Sequence, residues 1–277
     1  MPESIAFIVH PERKEALREA GRAQAQLQAA GIHVFYPQRE EASAHCGLVI
    51  TFGGDGTLLI GAGWALAYHC PLLGINLGTV GFLTEGDPDR LEEMMEAVLQ
   101  KRYKTERRSL LKVRVNEEEK EYIALNDAVV TRGGYARLIQ VEIRINREHW
   151  GTFLADGAIA ATPTGSTGYS LSAGGPVVAP GVDCMVITPV CAHSLQHCPC
   201  IVSGDTEIRF QLTRERDQRA ELQIDGQNKH TLRAGDSVSI TVAEEYMQLA
   251  RLQDYRFFSV LQAKLNEWGQ TREDVEP

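Results

Sequence analysis

Leu48-Val49-Ile50-Thr51-Phe52-Gly53-Gly54-Asp55-Gly56-Thr57 is the stretch on which the reading of this chain turns. An uninterrupted apolar run, as in central parallel strands covered on both faces, enters a glycine cluster. Leu58 to Tyr68 then suits a helix. The neighbouring segments keep this rhythm. Ile5 to Val9 is a short apolar strand, and Leu17, Ala20, Ala23, Leu27 and Ala30 recur at helical spacing, with Gly31 as C-cap. Ile32 to Tyr36 reads as a second strand and Leu72 to Ile75 as another buried one, while Leu91, Met94, Met95, Val98 and Leu99 mark an amphipathic helix. The alternation predicts an α/β N-terminal domain over 1–100, with a parallel sheet and helices on both faces. It is Rossmann-like but lacks the usual dinucleotide fingerprint Gly-x-Gly-x-x-Gly, and no Gly-x-x-x-x-Gly-Lys-Ser/Thr loop occurs either.

From Lys101 to about Arg251 the rhythm changes to β-type segments separated by turn residues: Leu111–Val115, Ala128–Thr131, Leu138–Ile145, Met185–Thr188, Glu207–Leu212 and Val238–Val242. This predicts a mainly β C-terminal domain over 101–251, built as packed sheets. Ser259 to Trp268 returns to helical spacing, and Thr271 to Pro277 reads as a loose acidic tail. Residues 252–277 are expected to pack back on the α/β domain.

Composition sets the outer limits. With 43% hydrophobic and 23% charged residues among 277, the chain buries a core and is neither disordered nor fibrous. No apolar run approaches the roughly 18 residues of a membrane span, and Met1-Pro2-Glu3-Ser4-Ile5 has no basic region of a secretory signal. A cytoplasmic protein is expected, with no membrane partner. Lysine and arginine number 28 against 37 acidic residues, a net charge of −9, which argues against a nucleic-acid partner. Any anionic ligand must meet positive potential supplied locally by backbone amides, helix N-termini or a divalent metal. Of the six cysteines, Cys46, Cys70 and Cys184 read as small buried hydrophobes. The run from Cys191 to Cys200, with His193, His197 and Cys198, matches no two-cysteines-plus-two-ligands zinc spacing.

Nine of the 34 residues from Gly53 to Gly86 are glycine, where usage of about 7% gives two or three. Glycine lets backbone approach a ligand closely, and a helix beginning at Thr57 would aim its free amides at a phosphate. In that cradle Asp55 has two readings: a helix N-cap, or a carboxylate that holds a metal or takes a proton from an attacking hydroxyl. Phe82, in Gly74-Ile75-Asn76-Leu77-Gly78-Thr79-Val80-Gly81-Phe82-Leu83, reads equally as a pocket aromatic or as core. Asn126 and Asp127 open a hydrophobic strand; they suit a turn, or an adenine edge and ribose hydroxyls. Asp156 to Pro176 is rich in hydroxyls and glycine, as ordinary caps and turns are and as a polyhydroxylated ligand would require. Asp225-Gly226 fits a hairpin turn.

Gly53-Gly54-Asp55-Gly56-Thr57 resembles the signature shared by NAD kinases, 6-phosphofructokinases and diacylglycerol and sphingosine lipid kinases. The Gly74–Leu83 loop, Asn126-Asp127, the run Asp156–Pro176, Pro189-Val190-Cys191-Ala192-His193-Ser194-Leu195 and Asp225-Gly226-Gln227 are together similar to the NAD kinase family of bacterial type, from about residue 50 to 265. Departures are Asp127 where many relatives have Glu, Gly168 where most have Ala, Leu154 where some have Arg, and Cys198 and Cys200 where Arg and an aliphatic are commoner. The resemblance implies an NAD kinase: a phosphotransferase with an alcohol acceptor, moving a phosphoryl group from ATP, or from polyphosphate, to the 2′-hydroxyl of the adenosine ribose of NAD, giving NADP. It implies Asp55 as the catalytic residue and Gly53, Gly54, Gly56 and Thr57 as the donor loop. Phe82, Asn126, Asp127, Arg137, Asp156, Thr167, Gly168, Tyr169, Ser170, Leu171, Ser172 and Gln227 are implied as dinucleotide contacts. A divalent cation, Mg²⁺, is implied without assigned protein ligands, as is a homodimer or homotetramer. The competing readings are a lipid kinase, a sugar-phosphate kinase, which needs an Arg/Lys cluster that the motifs lack, and a non-catalytic dinucleotide sensor.

Overall fold

The computed structural model describes residues 4–38, 45–78, 81–86, 88–116, 118–134, 137–193, 198–213, 219–254 and 256–270. The chain divides into two compact units, residues 1–107 with 247–277, and 108–246.

In the first unit, β1 (Ser4–Val9), β2 (His33–Phe35), β3 (Leu48–Gly53) and β4 (Leu72–Asn76) form a parallel sheet in the order β2-β1-β3-β4. Coverage of both faces explains why β1, β3 and β4 are buried along their whole length. Ile5, Phe7, Leu48, Ile50, Phe52, Leu73 and Ile75 form one cluster with Ala16, Ala20, Ala23 and Leu27 of α1 (Lys14–Ala29) and with Met94, Met95 and Val98 of α3 (Leu91–Leu99). The opposite face carries α2 (Asp55–Ala67), which packs against β1, β3 and β4. That contact is close enough to require glycine: a Cβ on Gly61 would lie 2.3 Å from the Thr51 methyl, and one on Gly74 would lie 2.6 Å from Leu58. Gly31, with φ +83°, ends α1 as expected. Its N–H reaches the Gln28 carbonyl and that of Ile32 the Leu27 carbonyl, a Schellman closure.

The second unit is antiparallel. Its elements are β6 (Glu121–Ala124), β7 (Asp127–Thr131), β8 (Ile139–Ile145), β9 (Glu148–Ala155), β10 (Gly157–Ala161), the single turn α4 (Tyr169–Ser172), β11 (Cys184–Val190), β12 (Cys200–Ser203), β13 (Ile208–Leu212), β14 (Arg219–Ile224) and β15 (Gln227–Arg233). Two long strands run between the units' sequence ranges: β5 (Lys104–Val115) and β16 (Ser237–Arg251). Leu249, near the end of β16, pairs with Leu72 in parallel within the first unit, and α5 (Phe257–Gln270) follows. One sheet of the second unit runs β12-β11-β10-β7-β14-β15; in the other β16, β13, β8 and β9 are neighbours, with β5 and β6 attached. The apolar faces of the two sheets meet in one core that includes Val130, Ala160, Ile187 and Leu222 with Val141, Phe153, Phe210 and Ile240. The outer face of the six-stranded sheet is also buried: Val129, Ile159, Ala161 and Val186 are covered by Val178 and Ala173, which follow α4.

Candidate active site

Helix α2 starts earlier than Thr57. Gly54 is the N-cap, in extended conformation, and Asp55 is the first helical residue, so the N-cap reading of Asp55 is corrected. The Gly54 carbonyl accepts from the Thr57 and Leu58 N–H groups, which closes the turn. Gly53 lies against Thr57: a Cβ there would stand 2.2 Å from Oγ1. Asp55 is thereby turned toward the loop after β4. Its Oδ2 accepts from the Phe82 N–H at 2.9 Å; its Oδ1 accepts from the Leu83 and Thr84 N–H groups at 3.1 and 3.2 Å and from Thr84 Oγ1 at 3.3 Å. A carboxylate offers about four lone-pair sites. Oδ1 is crowded with three donors, while Oδ2 holds one and keeps capacity for another partner. Gly81 makes this approach possible, since a Cβ there would sit 2.1 Å from Oδ1.

The same loop is tied down elsewhere. Asn76 Nδ2 donates to the Gly78 carbonyl at 2.9 Å, and its N–H to the Glu85 carbonyl at 2.9 Å. Arg251, 4% exposed, donates to the Leu83 carbonyl at 2.9 Å and pairs with Glu85 and Glu106 at 3.4 and 3.0 Å. Burial pushes the Glu85 carboxyl upward, against the pull of Arg251 and the Leu252 N–H. A groove of about 980 Å³ borders the loop, with Asn76, Gly81, Thr84, Arg90 and Arg256 in its lining.

In the second unit three separated motifs converge. Asp225 and Gly226 are the two loop residues between β14 and β15, with φ of +49° and +75°, as a type I′ turn demands. The turn points the Asp225 carboxylate back across about a hundred residues of sequence, where it accepts from the N–H groups of Leu125, Asn126 and Asp127 at 2.9, 2.7 and 3.2 Å. From the third motif, Thr162 donates its N–H to the Asn126 carbonyl at 2.9 Å and its hydroxyl to the Leu125 carbonyl at 2.7 Å. Gly165 lies so close that a Cβ would be 2.1 Å from the Asn126 oxygen. Asn126 Oδ1 is buried with no hydrogen-bond partner among the described residues, an acceptor left for a ligand's N–H. Asp127 is 5% exposed; burial first, then the charge of Asp225, pushes it up to about 7. Burial also pushes Asp225 up, against its three N–H donors. Asp156 is half-exposed and ion-paired with Arg132. Tyr169, 44% exposed, lies near enough to Cys191, Asp156 and Asp127 that their charges add to burial in raising its hydroxyl pKa.

Residues 36–103 match the model of the ATP-NAD kinase N-terminal domain, and residues 125–252 that of the ATP-NAD kinase C-terminal domain. Over 231 residues, 82% of this chain and 80% of the relative, the chain is 39% identical to the NAD kinase of Desulforamulus reducens. The chain belongs to the NAD kinase family. It is also 42% identical to the NAD kinase of Moorella thermoacetica over 240 residues, 86% of this chain and 76% of that one. Its fold is that of the yeast NADH kinase solved with NADH, at TM-score 0.85 and 23% identity over 95% of this chain and 87% of that one. The NAD kinase of Archaeoglobus fulgidus solved with ATP shares it at TM-score 0.72 and 24% identity, over 95% of this chain and 98% of that one.

Within this NAD kinase family chain the remaining candidates fall into distinct settings. Thr167 Oγ1 donates to the Thr164 carbonyl, Gly168 borders Gly165 and Asn126, Leu171 is half-buried, and Ser172 is exposed. Ser170 is fully buried, its hydroxyl 2.8 Å from that of Thr188, so this side chain belongs to the interior and not to an open surface. Phe82 is likewise core: it is 8% exposed with its ring centroid 6.4 Å from that of Phe257. Gln227 is exposed and accepts from Lys229 Nζ at 2.6 Å. Arg137 is exposed in a bend before β8. Among the described residues no group of three or more His, Cys, Asp or Glu gathers as a metal site; Ser194, Leu195 and His197 lie outside them. The sequence reading left out Asn76, Thr84 and Arg132 from the site. Only Asn76 had a signal, as the polar residue ending an apolar strand opposite Gly53.

Proposed function

We propose that this chain transfers the terminal phosphoryl group of ATP to the 2′-hydroxyl of the adenosine ribose of NAD, giving NADP. The observation that carries the reading is the convergence of Thr162, Gly165 and Asp225 on the main chain of Leu125, Asn126 and Asp127, with the buried side-chain oxygen of Asn126 left without a partner among the described residues. Asn126 would accept from the adenine amino group, while Asp127, Asp156 and Tyr169 would hold ribose hydroxyls and the rest of the dinucleotide. Phosphoryl transfer has a loose, charge-dominated transition state, so placement and charge neutralisation outweigh basicity. Asp55, held by three backbone N–H groups, is a fixed acceptor; its Oδ2 would take the hydroxyl proton or face the metal. The N-terminal end of α2 adds partial positive charge for the donor phosphates.

A divalent cation that arrives on phosphates needs one or two carboxylates from the protein, which the single carboxylate of Asp55 fits. Bound there, Mg²⁺ would neutralise phosphate charge in a protein of net charge −9. Polyphosphate presents the same linked phosphates as ATP and would serve as an alternative donor. We place the enzyme in the cytoplasm, in keeping with six free thiols. We further propose a homodimer or homotetramer, in keeping with the half-exposed Ile201 on the edge strand β12.

The test is NADP formation by the purified protein with NAD and Mg²⁺, with ATP and polyphosphate as donors in parallel reactions. NADP with ATP is the expected product. Tight NAD binding without NADP from either donor would replace this reading with the dinucleotide sensor.

A further inference from the structure

Outside the site, two thiols meet at the opposite end of the parallel sheet. Cys46 lies two residues before β3 and Cys70 two residues before β4, and these neighbouring strands pair in register Val49↔Leu72. Carried back along the strands, that register sets Cys70 one residue from the position opposite Cys46, and Cys46 Sγ donates to the Leu48 carbonyl at 3.1 Å. Paired parallel strands are about 4.8 Å apart, within the span a disulfide bridges. We propose that Cys46 and Cys70 form a reversible disulfide when the protein meets a small peroxide.

The partners divide the roles. The neighbouring Cys70 thiol holds the Cys46 thiol down to about 7, whereas the same neighbour and burial push Cys70 upward. In the proposed order Cys46 attacks and Cys70 resolves. They are 9% and 8% exposed, so small oxidants reach them and protein disulfides do not. In the first step the Cys46 thiolate attacks one oxygen of hydrogen peroxide; the O–O bond breaks, Cys46 becomes a sulfenic acid, and the departing hydroxide takes up the thiol's proton as water. The Cys70 sulfur then attacks the Cys46 sulfur. The S–S bond forms, the S–O bond breaks, and the hydroxide leaves with the Cys70 proton as a second water. Two thiols lose two electrons and one peroxide becomes two waters. The bridge would close the segment holding β3, the glycine loop and α2, and a dithiol would reopen it.

The test is a peptide map, without reductant, of the intact protein exposed to stoichiometric hydrogen peroxide. The expected result is a Cys46–Cys70 cross-linked peptide lighter by two hydrogens than the separate peptides, lost again on dithiothreitol. In Cys70→Ser, dimedone should label Cys46. The proposal falls if wild-type Cys46 and Cys70 both remain alkylatable while the exposed Cys191 and Cys198 oxidise. It falls equally if Cys46 bridges to another cysteine or proceeds to a sulfinic acid with Cys70 intact. These readouts need no kinase activity, so they stand or fall apart from the proposed function.

Discussion

Asp55 shows how much a residue's role depends on the backbone around it. Its motif is visible in the sequence, but the partners that fix it lie 27 to 29 residues onward and depend on Gly81 having no Cβ. Gly81→Ala would place a methyl group 2.1 Å from Oδ1 and 2.4 Å from Thr84 Oγ1. We expect it to lower turnover at least about 10-fold and stability by roughly 1–3 kcal/mol, read by steady-state kinetics and denaturant titration. Asp55→Asn should cut turnover at least about 100-fold with NAD affinity within a few-fold of wild type; turnover near wild type would remove Asp55 from the chemistry. Asp127 carries a pH signature. Its carboxyl rises from an ordinary 3.8 to about 7 in the folded chain. Between those values the folded state keeps a proton that the unfolded state has released, so stability falls as pH rises through the window and levels off above it. Asp127→Asn should flatten that slope in denaturant titrations at pH 5 and pH 8, and equal slopes in variant and wild type would contradict it. Neither this burial nor that of Phe82 and Ser170 was legible locally, because each is created by residues distant in sequence, Phe257 for Phe82 and Thr188 for Ser170.

At the scale of elements, the α/β half was the more readable. Strands β1, β3 and β4 are apolar on both faces and α1 and α3 have strong helical spacing, so local pattern and tertiary burial agree. The β half gave fewer clues. Strand β15, Gln227–Arg233, is polar and largely exposed, and β5 begins with Lys104-Thr105-Glu106-Arg107, so alternation does not announce them. Their placement comes from register with partners, which a local window does not contain. The Asp225-Gly226 turn is the exception, since φ > 0 at both positions leaves a recognisable dipeptide. What it does was hidden: it carries the acceptor for three consecutive N–H groups. Asp225→Ala would strand them, and we expect a loss of roughly 2–4 kcal/mol together with a raised KM for NAD. Unchanged stability would contradict the clamp.

For the whole molecule the governing quantity is charge. A protein of net charge −9 that joins two phosphate-bearing substrates gains from an added cation, because arginines near the motifs such as Arg132 and Arg251 are already paired with Asp156 and with Glu85 and Glu106. Chelation by EDTA should therefore abolish NADP formation and excess Mg²⁺ should restore it, while activity that survives chelation would assign neutralisation to the protein alone. The resemblance rested on ordered motifs that the sequence displays; that three of them meet within the second unit is a property of its fold. The most direct measurement of the central claim is a crystal structure with NAD bound, read at one distance. The account predicts the adenosine 2′-hydroxyl within about 3 Å of the Asp55 carboxylate, or joined to it by one water or ion. A hydroxyl held out of that reach, facing another residue, would contradict it.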